Sequence, residues 1–170
     1  GDELDSPETS RWNRGWASEH VGTLQASLDG CHELLGSFRE SLGPDKPFHL
    51  MRSNHGERTR TYVRKYAPAV EGLRALQYEV QLGFEELGIT YHQQPFEFAP
   101  GWLLAHGDEG SLSQTAGGTA LGLAKKWGKS VVCGHSHRAG VQHQHLSVNG
   151  RITRPLFGME VGHLMDMRKA

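Results

Sequence analysis

Three short apolar runs in this chain each end in a polar turn that carries histidine, and this recurrence narrows the folds open to it. Phe48-His49-Leu50-Met51 runs into Ser53-Asn54-His55, Trp102 to Ala105 into His106-Gly107, and Ser130 to Cys133 into Gly134-His135-Ser136-His137. Runs this short and apolar read as buried strands. In layered α/β folds, ligands gather in the loops beyond the strand ends. A further polar pair, Gly1-Asp2, opens the chain and would fit the pattern if an apolar strand preceded it.

The segments around these runs support a layered arrangement. Val21, Leu24, Leu28, Leu34, Leu35 and Phe38 recur at helical spacing, which predicts a helix from about Gly15 to Leu42, stopped by Gly43-Pro44. Glu57 to Tyr66 reads as a second helix, and Pro68 opens a third running to about Leu82. Ile89 to His92 and Phe96 to Phe98 read as strands, and Thr115 to Trp127 has helical spacing with Gly128 as its stop. His143 to Val148 and Ile152 to Phe157 flank Asn149-Gly150, a hairpin turn signal. Strands interleaved with helices and followed by hairpins predict a mixed sheet in one α/β domain spanning residues 1–170.

Composition bounds the function. The 170 residues suit one core, and a net charge of −1 carries no global signature of nucleic-acid binding. No apolar run is long enough for a membrane span, so no membrane partner is expected. Cys31 and Cys133 lack the spacing of a metal-ligand pair and read as free buried thiols in a reducing compartment, which points to the cytoplasm. The 11 histidines are many for this length and point to metal chemistry.

One Asp, one Asn and three His at these turns form a mixed oxygen and nitrogen donor set, suited to borderline divalent metals such as Mn, Fe, Zn or Ni. A carboxylate can bridge two such cations, and a pair of cations can clamp a phosphate. His135 and His137 would point the same way from an extended segment, whereas a turn would separate them.

Taken in order, Gly1-Asp2, Asn54-His55, His106-Gly107 and Gly134-His135-Ser136-His137 resemble the motif series of the calcineurin-like metallophosphoesterases, in a short form like those of bacteria and their viruses. The resemblance extends over nearly the whole chain. It implies a four-layer α/β/β/α sandwich and hydrolysis of a phosphomonoester or phosphodiester by a hydroxide bridging two divalent metal ions, with manganese the first candidate. It implies that Asp2 bridges the metals, that Asn54, His106 and His135 bind the second and that His137 binds the first. His55 is then no ligand; it stabilises the transition state or protonates the leaving oxygen. The substrate is a phosphate ester, with nucleotides and nucleic acids among the candidates, and an oligomer stays open.

The chain also departs from the family pattern. The Asp-X-His motif that normally supplies the first metal site has no counterpart, so a fragment incomplete at both ends is expected, the far end stopping at Leu164 to Ala170. The alternative is a non-catalytic scaffold or metal-binding protein with an incomplete first site. Ser53 stands where Gly usually precedes Asn-His. Gly56 stands where an acidic residue often follows, with Glu57 one position late.

Among other charged groups, Arg52 and Arg58 flank Asn54-His55 and are candidate substrate-binding residues, although the wider run with Arg60, Arg64 and Lys65 also reads as a solvated helix face. Asp5, Asp108 and Glu109 are either partners that orient ligands or plain turn formers. Trp12 and Trp16 either line a pocket or pack. The glycines of Thr115 to Thr119 lack the Gly-Lys-Ser/Thr ending of a phosphate loop, and His143 and His145 lie beyond the motif and are not expected to be ligands.

Overall fold

The computed structural model describes residues 2–16 and 22–165, without the side chains of Leu146, Ile152 and Thr153. Gly1 of the opening pair, Val21 of the expected first helix and the last five positions of the 164–170 tail lie outside the described residues. The chain gathers into two compact units, one from Asp2 to His92 and one from Gln93 onward.

In the first unit, helix α1 (Leu24–Leu42) begins later than its periodicity suggests. The Thr23 side chain sets the start by accepting the Ala26 N–H at 3.1 Å, a serine/threonine cap. Leu28, Cys31 and Leu35 form the buried stripe of α1, while Leu34, Phe38 and Leu42 stay exposed. The helix stops at Gly43 as expected. Strand β1 (Phe48–Met51) pairs in parallel with β2 (Ile89–His92), Phe48 opposite Ile89 and Met51 opposite His92. Helix α2 (Glu57–Tyr66) has the expected bounds.

The helix expected from Pro68 to Leu82 does not form. Pro68–Val70 and Arg74–Leu76 are single 3₁₀ turns, and only α3 (Tyr78–Gln81) is α-helical. Leu73 and Gln77 adopt extended backbone angles that interrupt it, next to Gly72, a poor helix former. The core of this unit gathers Leu4, Leu28, Cys31, Leu35, Leu82 and Phe84, with Phe48, Leu50, Ile89 and Tyr91 packed against it. Arg39 ties the end of α1 to the entry of β2, donating to the carbonyl oxygens of Leu87 at 2.7 Å and Gly88 at 2.9 Å.

The second unit is a five-stranded mixed sheet in the order β3-β4-β5-β7-β6. Its strands are β3 (Phe96–Ala99), β4 (Trp102–Ala105), β5 (Ser130–Cys133), β6 (Ala139–Val148) and β7 (Arg151–Val161). β4, β5 and β7 run parallel, and β3 and β6 close the edges antiparallel. The Asn149-Gly150 hairpin forms with longer strands than its alternating residues suggest. Helix α4 (Gly118–Trp127) packs so tightly on β7 that a Cβ on Gly158 would lie 2.0 Å from the Leu121 nitrogen. Ala120, Leu123, Ala124, Val131, Cys133 and Leu156 build the core beneath it.

The architecture is mixed α/β, as expected. Among the described residues, no helix is long and apolar enough to cross a membrane. Cys31 and Cys133 are free and buried, and burial pushes both thiols up to about 12.

Candidate metal centre

In the second unit, β4 and β5 run parallel with Ala105 opposite Cys133, so the residues that follow leave the same edge of the sheet. Those residues are His106 and Gly134-His135. The register alone therefore brings the two imidazoles together, with ring centroids 4.8 Å apart. His106 is buried at 1% exposure, and His135 is half-buried. The Nδ1 atom of His135 is buried without a hydrogen-bond partner among the described residues. A buried imidazole nitrogen of this kind suits a metal ligand.

The loops that present these histidines are tied down by carboxylates. Glu109 accepts the N–H of His106 at 3.1 Å and of Gly107 at 2.7 Å. The Gly134 N–H donates to the His106 carbonyl at 2.9 Å, which locks one loop to the other. Glu109 thus acts on the His106 loop backbone rather than as a simple turn former.

Glu160 on β7, which the sequence reading did not single out, has a similar part. Its buried carboxylate accepts the N–H of Gly117 at 2.8 Å and of Thr119 at 3.1 Å, at the start of α4. Burial raises its pKa, but hydrogen bonds from Thr119, Gly117 and the Ser136 side chain outweigh this and hold the carboxyl below its usual range. Through Ser136, Glu160 reaches the turn between His135 and His137. Its only sequence signal is an acid inside the otherwise apolar run Leu156 to Val161.

His135 and His137 have φ of 63° and 58°, so the segment is a turn and the same-side geometry of an extended stretch does not apply. Left-handed backbone at two successive histidines of one motif is uncommon and clusters at functional sites. His137 is exposed, with its ring 5.6 Å from that of His163. His143 and His145 pair with each other on β6, centroids 5.4 Å apart.

In the first unit, the loop after β1 carries Arg52, Asn54 and His55, all half-buried. Ser53 is fully buried and explains its own presence. Its hydroxyl accepts the Gly56 N–H at 2.9 Å and donates to Glu3 Oε1 at 3.2 Å. The Tyr78 hydroxyl also donates to Glu3. Burial pushes the Glu3 carboxyl up, an effect that these hydrogen bonds only partly offset. Gly56 has a steric cause: a Cβ there would stand 3.0 Å from the Tyr78 ring and hydroxyl and 3.1 Å from Glu3 Oε1.

His55 is the hub of a polar cluster. Arg58, one turn along α2, donates to its Nε2 at 2.7 Å, so the ring proton resides on Nδ1. Nδ1 lies 3.3 Å from Asp5 Oδ1, at ion-pair distance but off the alignment of a hydrogen bond, and Nε2 lies 4.0 Å from Asp2 Oδ2. Arg58 also pairs with Asp5. The contact from His55 holds the Asp5 carboxyl below its usual range; burial opposes this and Arg58 reinforces it. Asp5 thereby joins Asp2, His55 and Arg58 in one cluster, a placement that the sequence left open.

No family model matches the chain, and no solved structure matches it. The chain is similar to the Gene 54 protein of Mycobacterium phage L5, with 32% identity over 174 residues that take in 100% of this chain and 67% of that protein. It is similar also to the Gene 54 protein of Mycobacterium phage D29, with 33% identity and the same coverage, 100% and 67%.

Proposed function

The chain belongs to the family of the Gene 54 proteins of Mycobacterium phages L5 and D29, and within that family we propose that it is a metal-dependent phosphoesterase. The observation that carries the reading is the His106–His135 pair, set by the parallel register of β4 and β5 and braced by Glu109. The reading implies the four-layer α/β/β/α sandwich of the calcineurin-like phosphoesterases, and the mixed α/β class supports it.

The donor set fits divalent cations, with manganese first and iron, zinc or nickel as alternatives. In the second unit His106, His135 and His137 would hold them, and the buried Nδ1 of His135 is an atom suited to that task; Asn54 and Asp2 enter as donors only through the resemblance to the phosphoesterases. Bound cations supply neutralisation of phosphate charge and activation of the attacking water.

The remaining steps belong to protein groups. Arg58 and Arg52 attract the phosphate. In the free protein Arg58 covers His55 Nε2, and its move to a phosphate oxygen exposes that nitrogen. The exposed Nε2 then takes a proton from solvent, Asp5 beside Nδ1 stabilises the resulting imidazolium, and His55 passes that proton from Nε2 to the leaving oxygen, returning to the neutral Nδ1–H form. The cluster thus couples substrate binding to the availability of the acid.

The test is manganese-dependent hydrolysis of a chromogenic phosphodiester by this 170-residue chain, with chelator and His55→Ala controls. Turnover that needs both metal and His55 supports the enzyme. Metal uptake without turnover, under any of the four metals, favours the non-catalytic scaffold instead.

A further inference from the structure

Four aromatic side chains of the first unit stand in solvent within two short stretches. Trp12 and Trp16 are 71% and 72% exposed, and Tyr62 and Tyr66 are 41% and 42% exposed. Single exposed aromatics are ordinary, but a concentration of them marks a binding surface. Cations lie among them: the Arg11 guanidinium sits 4.6 Å from the Trp12 ring centre, Arg14 4.7 Å from Tyr66 and Lys65 5.1 Å from Tyr66. Arg14 also donates to the Tyr66 hydroxyl, which fastens the 11–16 turn to the end of α2. Tyr62 and Tyr66 lie one helical turn apart with centroids at 4.8 Å.

The acids of α2 and of the turns directly after it, Glu57 and Glu71, are matched. Glu71 pairs with Arg64 and Arg60, and Glu57 with Arg60. Arg11, Arg14 and Lys65 instead place their charge over aromatic rings. The face therefore offers flat apolar rings and positive charge together. A second copy of the chain would bring the same positive charge to this face, so a twofold contact here would set like charges against each other.

We propose that this face is a stacking platform for single-stranded nucleic acid. Bases stack on tryptophan and tyrosine rings regardless of sequence, and cations beside the rings meet the phosphates. The position on α2 is informative: the helix begins two residues after His55 and ends at Tyr66, so its ten residues carry a strand about 15 Å along the surface, the reach of a few nucleotides. The proposal deepens the phosphoesterase reading by naming a single strand as its substrate class, and it rests on that reading for the cleavage step alone.

The experiment is fluorescence anisotropy of a labelled oligothymidylate of about 16 nucleotides, titrated with the full chain in chelator so that no cleavage intervenes. The expected result is salt-sensitive binding, with duplex of equal length bound at least about tenfold more weakly. Trp12→Ala and Trp16→Ala should each weaken binding by about tenfold, and Lys65→Gln should reduce the salt slope by about one. Because both tryptophans are exposed, matching thermal melts will show that the variants stay folded. The proposal is overturned by no anisotropy change, by equal affinity for duplex, or by full affinity in the Trp12→Ala, Trp16→Ala double variant. A concentration-dependent dimer that the same double variant dissolves would also overturn it, since the face would then belong to a second copy. Chromogenic diester hydrolysis by the wild-type chain, run in parallel, separates the two readings: binding without hydrolysis sinks the enzyme and keeps the platform, and hydrolysis without binding does the reverse.

Discussion

His106 and His135 bring their ring centroids within 4.8 Å because they follow strands that run parallel in register. His135→Ala should remove one tight manganese site in isothermal calorimetry, with affinity falling by at least the roughly 10–100-fold typical of losing even an outer partner. Unchanged affinity would take His135 out of the ligand set.

His55 lies between Asp5 and Arg58, with its Nε2 4.0 Å from Asp2 Oδ2. His55→Ala should leave metal content intact and lower turnover by about 10²–10⁴-fold, the scale of a lost general acid. Metal analysis beside the kinetics decides the matter, and loss of metal would give His55 another role.

The Glu160 carboxyl is held below the usual value of 4.5 by hydrogen bonds that outweigh its burial. Its contribution to stability is therefore present in full above about pH 4.5 and is lost as pH falls through its lower folded value. Glu160→Gln should cost about 1–3 kcal/mol in urea unfolding at neutral pH. The gap between variant and wild type should narrow on acidification. A gap that widens in acid would contradict this assignment.

Gly158 and Gly122 make a matched pair of tests. Alanine at 158 meets the Leu121 backbone at 2.0 Å, so α4 must shift off the sheet, at a cost of about 3 kcal/mol or more. At Gly122, within α4, a Cβ meets nothing within 4 Å, and alanine should stabilise the chain by about 0.5–1 kcal/mol. Equal melting temperatures for the two variants would show that the α4–β7 contact is looser than described.

Legibility in the sequence followed the range of the interactions. Apolar runs such as Val131 to Cys133 and the Asn149-Gly150 turn were readable because their structure is local. His106 and His135 were readable as candidates because each directly follows such a run. Arg58 was within reach through its spacing from His55, since one helical turn brings them together. The Pro68 to Leu82 segment was misread, because its periodicity did not reveal the extended residues Leu73 and Gln77.

Outside the Pro68 to Leu82 segment, sequence alone determined the kinds of element, their order and the polar turns that end the strands, because propensity and periodicity act over a few residues. Only the tertiary structure decided which strands are neighbours and in what register, and hence that His106 meets His135. It also decided that Glu160 caps α4, that Ser53 holds Glu3 and that Asp5 reaches His55. Each of these contacts joins residues far apart in the chain, and the forces that select them arise only when the chain has closed around its cores.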